Sequence, residues 1–302
     1  MNNKTSSIIF MEMVICLLLF CFMDLHAFAD ESKIGKAAIE KAWKAKQDRI
    51  KTARLVWKCE ETRPRLDETG LPSTEKQQAE LFIDRGKISL RRKVSEPLQT
   101  RIGAMPIKEQ KVVFDGKQAS ELIEVMGHLK GSGQSGTIYA TATFPAKNNL
   151  ICIPVLLGLR PMDPHGGNID MKKSTLHASR KSIGAKSCLV LDVHEKGTSL
   201  VYRYWIDPDT DFSILRFQNV LEGNLKDTDL ITVDISYSKV NKEWLPAEWK
   251  YTCYNLDAKK ICSGKSVLTK HKVNVSVDPR VFTLVFPQNV PVYDEKEDKM
   301  VP

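Results

Sequence analysis

Histidine and cysteine are the residues with which this chain of 302 amino acids could bind a metal or attack a carbonyl, and their spacing assembles neither kind of site. Beyond residue 29 the histidines are His128, His165, His177, His194 and His271, scattered along the length. His165 lies close to Asp163 in the stretch RPMDPHGG, but no second histidine or carboxylate follows at zinc-ligand spacing. His194-Glu195 ends a predicted strand and His271 stands between Lys270 and Lys272, positions that read as solvated surface. A G-x-S-x-G elbow, an H-E-x-x-H helix and a phosphate loop are all missing. Residues 131–136 (GSGQSG) are rich in glycine, but neither a lysine nor a helix follows to hold a phosphate, and the segment reads as a flexible loop. The sequence therefore predicts no catalytic residue, no metal and no cofactor, and a protein that is not an enzyme.

What the chain offers instead is a set of large side chains on separate predicted strands. Trp57, Phe82, Phe114, Tyr139, Trp205, Phe217 and Trp249 are the candidate ligand-binding residues, with Tyr237 and Tyr251 beside them. If they converge, they line an apolar hollow of the kind that curved sheets enclose. The competing reading has them fill a core against a helix bearing Trp43.

Two periodicities set the elements that must position these residues. Residues 31–52 are rich in strong helix formers, and Ile39, Ala42, Trp43, Lys46 and Ile50 recur at steps of three or four, predicting one helix with a packing stripe. From Ala53 the period becomes two, and strand follows strand. Asp115-Gly116 marks a two-residue hairpin turn between 112–114 and 119–123. Residues 149–160 (NLICIPVLLGLR) are apolar on all sides and read as a short buried helix or lid, with Pro154 in its first turn. Six strands then succeed one another from 188 to 275 across turns too short for parallel crossovers, so the sheet is expected to be mainly antiparallel.

The N-terminus predicts export. Lys4, an apolar run from Met13 to Met23 and Ala27-Phe28-Ala29 are the three parts of a cleavable signal, and an uncleaved anchor is the alternative. Bulky residues precede both Cys16 and Cys21, unlike a lipid-attachment site. The expected product is soluble in the periplasm, starting near Ala29/Asp30. Without residues 1–29 the net charge rises from +8 to +9. Such an excess suits an anionic membrane surface or cell-wall polymer, and export leaves nucleic acid out as a partner. Arg91-Arg92-Lys93 is the densest cluster and reads as a solvated edge. If Asp257-Ala258 form a two-residue loop, Cys253 falls opposite Cys262 at a spacing that permits a disulfide; a one-residue shift would part them.

Two local patterns carry a resemblance. Residues 204–217 (YWIDPDTDFSILRF) resemble the W-x-D-P-x-T-x-x-x-x-x-R hairpin of the LolA-type lipoprotein carriers, and residues 277–287 (VDPRVFTLVFP) are similar to the closing strand of exported relatives. The resemblance spans about residues 31–294. It implies an α+β, mainly antiparallel fold: an incomplete, half-open β-barrel with an N-terminal helix and a short helix covering its concave face. It also implies a carrier for a lipid, an acyl chain or a lipoprotein in the bacterial envelope, with membrane contact transient at most and an envelope protein as possible partner. The alternative is an envelope sensor or protein-interaction module whose hollow is self-filled. On this reading residues 1–29 are the signal peptide, 30–293 a single domain and 294–302 a flexible tail.

Overall fold

The computed structural model describes residues 35–64, 73–96, 106–126, 133–141, 144–145, 149–223 and 227–301. The predicted signal peptide lies outside them, as do Gly131 and Ser132 of the glycine-rich loop. The chain divides into two compact units, Met1–Lys41 and Ala42–Pro302, and the whole sheet belongs to the second. No helix among the described residues is long and apolar enough to cross a membrane.

Helix α1 (Lys36–Arg49) carries no proline or internal glycine and ends one residue before the buried Ile50. Its last turn bears Lys46 and Arg49, the charge sign that a helix C-terminus favours. A long meander follows: β1 (Thr52–Arg63), β2 (Ser73–Asp84), β3 (Lys87–Glu96), β4 (Ile107–Phe114), β5 (Ala119–Val125) and β6 (Gln134–Ile138). Helix α2 (Ile153–Leu159) interrupts it, with every residue buried and Pro154 in the first turn, where the missing N–H is harmless. Then come β7 (Ser174–Leu176), β8 (Lys181–Ile183), β9 (Lys186–His194), β10 (Leu200–Asp207), β11 (Ser213–Leu221), β12 (Thr228–Val240), β13 (Glu243–Tyr254) and β14 (Lys260–Val273). Two short strands, β15 (Val292–Asp294) and β16 (Lys299–Val301), complete the order.

The strands form one sheet in the order β16-β15-β6-β5-β4-β3-β2-β1-β14-β13-β12-β11-β10-β9-β7, with β8 paired to β9. Strand β1 is joined to β14 near the middle, so the two halves of the chain meet there. The ends of the order, β16 and β7, are not paired with each other, so the sheet is open. All pairings but β15 with β6 are antiparallel, as the short links require.

Three segments depart from the sequence reading. Arg91-Arg92-Lys93 lies on β3, an inner strand, and period two splits it: Arg91 and Lys93 face solvent while Arg92 turns to the buried side. The expected closing strand at 277–287 is instead a 3-10 turn at Pro279–Phe282, because the Asp278 side chain accepts the Arg280 N–H and starts the turn. Residues 292–301, which overlap the segment read as a tail, form the β15–β16 hairpin, whose turn is tied by Lys296 and Glu297 N–H groups donating to Asp294 Oδ1.

Cys253 and Cys262 are bonded, with their Cα atoms 4.9 Å apart. The loop is longer than two residues: Tyr254 pairs with Lys260, and Asn255 Oδ1 accepts the N–H groups of Asp257 and Lys259. A bulge between Cys253 and Tyr254 then restores the register that sets the cysteines opposite each other.

Candidate functional site

Paired residues of neighbouring strands point to the same side of a sheet, so the register shows which side chains meet. Three adjacent rows on the buried face define the site. One runs Trp57, Ala79, Arg92, Gln110 from β1 to β4. The next holds Gln77, Cys59, Ser266, Trp249 and Ile235 from β2 to β12. The third runs Glu75, Glu61, Gly264, Tyr251, Val233, Phe217, Tyr204, Leu191 from β2 to β9.

Trp57 and Trp249 are both fully buried and meet edge to face, with ring centroids 5.7 Å apart across the intervening β14. Phe217 lies between the rings of Tyr202 and Tyr204, at 6.3 and 5.3 Å. Tyr251 reaches over β14 to donate its hydroxyl to Glu61 Oε2 at 2.5 Å. Gly264 makes this crossing possible, since a Cβ there would overlap the Tyr251 ring. Tyr251 and the thiol of Cys59 are held well above their ordinary pKa by burial first, Cys59 to about 11, so both stay neutral.

Polar side chains border the tryptophans. Arg92 Nη2 donates to Glu75 at 3.1 Å, Arg63 pairs with Glu61 at 2.5 Å, and Gln110 donates to Glu121 at 2.5 Å. Tyr139, just beyond β6, gives its hydroxyl to the same Glu121. Some atoms here have no partner at all. Both amide atoms of Gln77, the Arg92 Nε, the Gln110 Oε1 and the indole nitrogens of Trp57 and Trp249 are buried and unbonded. With the hydroxyl oxygen of Ser266, which lies in the same row as Gln77, they make seven of the ten such side-chain atoms among the described residues. Buried polar groups are nearly always satisfied, and this cluster of exceptions is the polar part of the candidate site. Donors dominate: two indole N–H groups, an amide NH2 and a guanidinium N–H stand against two amide oxygens.

Period two decides the fate of the predicted aromatics. Trp57, Trp249 and Phe217 share the three rows, and Phe114, its ring tilted 30° to the His165 ring with centroids 4.1 Å apart, lies elsewhere on the buried face in register with Ile88 and Ala119. Tyr139 joins through Glu121. Phe82 and Trp205 turn to the opposite face, Phe82 under the Arg54 guanidinium at 5.5 Å and Trp205 between Lys181 and Arg216 at 5.8 and 5.7 Å. Tyr237 donates to Ile214 O at 3.1 Å and faces Lys46. The polar members, Glu61, Glu75, Gln77, Arg92 and Gln110, were not singled out from sequence, because polar residues at alternate positions read as a solvated face. Among the described residues no group of three or more His, Cys, Asp and Glu side chains is placed to hold a metal.

Helix α2 lies against β13, where Gly158 leaves no room for a Cβ beside Pro246. Arg160, just after it, donates to the carbonyls of Ile50 and Lys51 at 3.2 and 3.1 Å, tying the helix to the start of β1.

No protein-family model and no curated protein matches the chain. Among solved structures it is similar to a DUF1329 family protein from Desulfovibrio piger, at 12% identity and a TM-score of 0.44, over 82% of this chain and 96% of that one. A beta-barrel-like protein of the domain of unknown function DUF1849 from Brucella abortus is similar at 8% identity and a TM-score of 0.21, over 75% of this chain and 99% of that one.

Proposed function

We propose that the protein is an exported, non-enzymatic carrier that binds an acyl-bearing amphiphile, such as a lipid or the acyl group of a lipoprotein, on the buried face of its sheet. The observation that carries this reading is the patch of unbonded buried donors and acceptors beside the Trp57–Trp249 pair. An acyl chain packs against the indoles, while ester or phosphate oxygens accept from Gln77, Arg92 and the indole N–H groups. Ligand sites of this kind are mostly apolar, with a few placed polar groups that set orientation. The open, mainly antiparallel sheet supports this reading, and a cover of helices over its concave face is part of the proposal.

Native mass spectrometry of the protein purified from a cell-envelope fraction tests the proposal. The expected result is a co-purifying species of lipid mass, released by organic extraction and identified as acyl-bearing. A protein that carries no such species, and that takes up neither fatty acid nor lysophospholipid when soaked with them, would overturn it in favour of a self-filled interaction module.

A further inference from the structure

On the face opposite the tryptophan pair, three strands at the middle of the sheet bring cations together. Arg54 and Lys58 on β1, Lys250 on β13, and Lys265, Lys270 and Lys272 on β14 are all exposed. Two of the pairs stand directly across from each other with like charge: Arg54 opposite Lys272, and Lys250 opposite Lys265. Such cross-strand pairs disfavour the sheet unless a counter-charge lies near. Glu60 and Glu248 stand among them, and Glu80 pairs with Arg54 at 2.8 Å. Glu248 is shared between Lys250 at 3.5 Å and Lys265 at 3.0 Å. Lys58, Lys270 and Lys272 form no ion pair with any described residue. Asp234 on β12 stands opposite Lys250 and pairs with Arg216, so the positive excess of the patch is concentrated on Lys58, Lys270 and Lys272.

Apolar side chains break this surface in a way a soluble polyanion would not use. Val267 sits in register between Lys58 and Glu248 and is 38% exposed. The tip of the β13–β14 hairpin, closed by the Cys253–Cys262 bond, exposes Leu256 at 71% and Ile261 at 45%, with Lys259 and Lys260 between them. Cations that meet headgroups beside apolar residues that enter the acyl boundary are the combination by which proteins bind an interface. We propose that this face docks the protein reversibly onto an anionic membrane surface, with the disulfide-closed hairpin tip inserting Leu256. The proposal does not depend on what the tryptophan face carries.

Vesicle sedimentation tests it, using the full chain as purified and vesicles of phosphatidylglycerol and phosphatidylcholine in equal parts, against phosphatidylcholine alone. Binding is expected only to the anionic vesicles and is expected to fall as salt is raised. The triple variant Lys58→Glu, Lys265→Glu, Lys272→Glu should bind at least about a hundredfold more weakly, since losing three cations near a charged leaflet alone accounts for that factor and the added carboxylates repel the leaflet further. A control triple of equal charge change, Lys172→Glu, Lys196→Glu, Lys296→Glu, should bind within about threefold of the parent if the patch rather than net charge is responsible. Leu256→Ser, which removes the apolar side chain without adding charge, should weaken vesicle binding several-fold and leave binding to soluble heparin unchanged. Circular dichroism confirms that each variant is folded. Equal binding to neutral vesicles, equal loss in both triples, or a Leu256→Ser variant that binds like the parent would each overturn the proposal. The last of these, with tight heparin binding, would reassign the patch to a soluble polymer.

Discussion

Replacing Lys46 by methionine should stabilise the protein at neutral pH, and by an amount that depends on pH in a set way. Lys46 is 2% exposed on α1, with its ammonium 5.6 Å from the centre of the Tyr237 ring. Burial lowers its pKa from the ordinary 10.5 to about 8, against the opposing pull of Asp211 and Glu243, while Arg49 adds a small push in the same direction as burial. A lysine whose folded pKa is depressed binds its proton more readily in the unfolded chain. The cost to folding is therefore full below pH 8 and disappears as pH rises from 8 to 10.5. At pH 7 the shift corresponds to about 3 kcal/mol, and at pH 10 to about 1 kcal/mol. Methionine has nearly the same volume and flexibility, so the packing change is small. Urea denaturation of parent and Lys46→Met at both pH values reads the difference directly. The variant should be more stable at pH 7, and its advantage should shrink by about 2 kcal/mol at pH 10. A gain that does not vary with pH would mean that packing alone had changed. A loss of stability at pH 7 would show that the contacts with Tyr237, Asp211 and Glu243 outweigh burial, and would refute the reasoning.

Other outcomes follow from the same contacts. Gln77→Leu removes two buried atoms that bond to nothing, so it should leave stability unchanged or raise it, while weakening ligand retention in native mass spectra. Arg92→Met strips Glu75 of its guanidinium partner on the buried side and should cost about 2–3 kcal/mol in urea denaturation. Gly264→Ala forces Tyr251 away from Glu61 and should cost about 1–3 kcal/mol by overpacking, visible as a shift in thermal midpoint. Replacing Cys253 and Cys262 by serine frees a short loop and should cost about 2–3 kcal/mol, a difference that reductant abolishes when parent and variant are compared in urea.

How much of this was legible in the sequence depends on which period each segment displays. In β12 the residues Ile231, Val233 and Ile235 alternate with Thr232 and Asp234, and the strand lies where that alternation predicts, with Val233 and Ile235 buried. Helix α2 was legible for the opposite reason, an apolar run with no polar face, which buries on every side. Strand β2 was half hidden. Its first residues, Ser73 to Gln78, are all polar, so nothing in them announces that Glu75 and Gln77 face inward. Only the pairing with β1, where Gln77 meets Cys59, fixes their direction. Arg92 was masked by its charged neighbours in the same way. Among the aromatics, Trp205 and Phe82 are as large as Trp57, but a single residue of parity separates the two faces, and aromatic size carries no information about parity. The cysteine pair was foreseen as a geometric possibility, while the bulge that brings Cys253 opposite Cys262 depends on Asn255 folding a longer loop.

The claim at the centre of this account is that an acyl chain lies against the Trp57–Trp249 pair. Quenching of tryptophan emission by a fatty acid brominated along its chain measures that contact directly, since bromine quenches only at close approach. Parent protein should be quenched in a saturable manner, and Trp57→Phe with Trp249→Phe should remove most of the quenched component while Trp205→Phe leaves it in place. Emission that stays unquenched in the parent, or quenching that disappears with Trp205 instead, would contradict the assignment of the buried face as the carrier site.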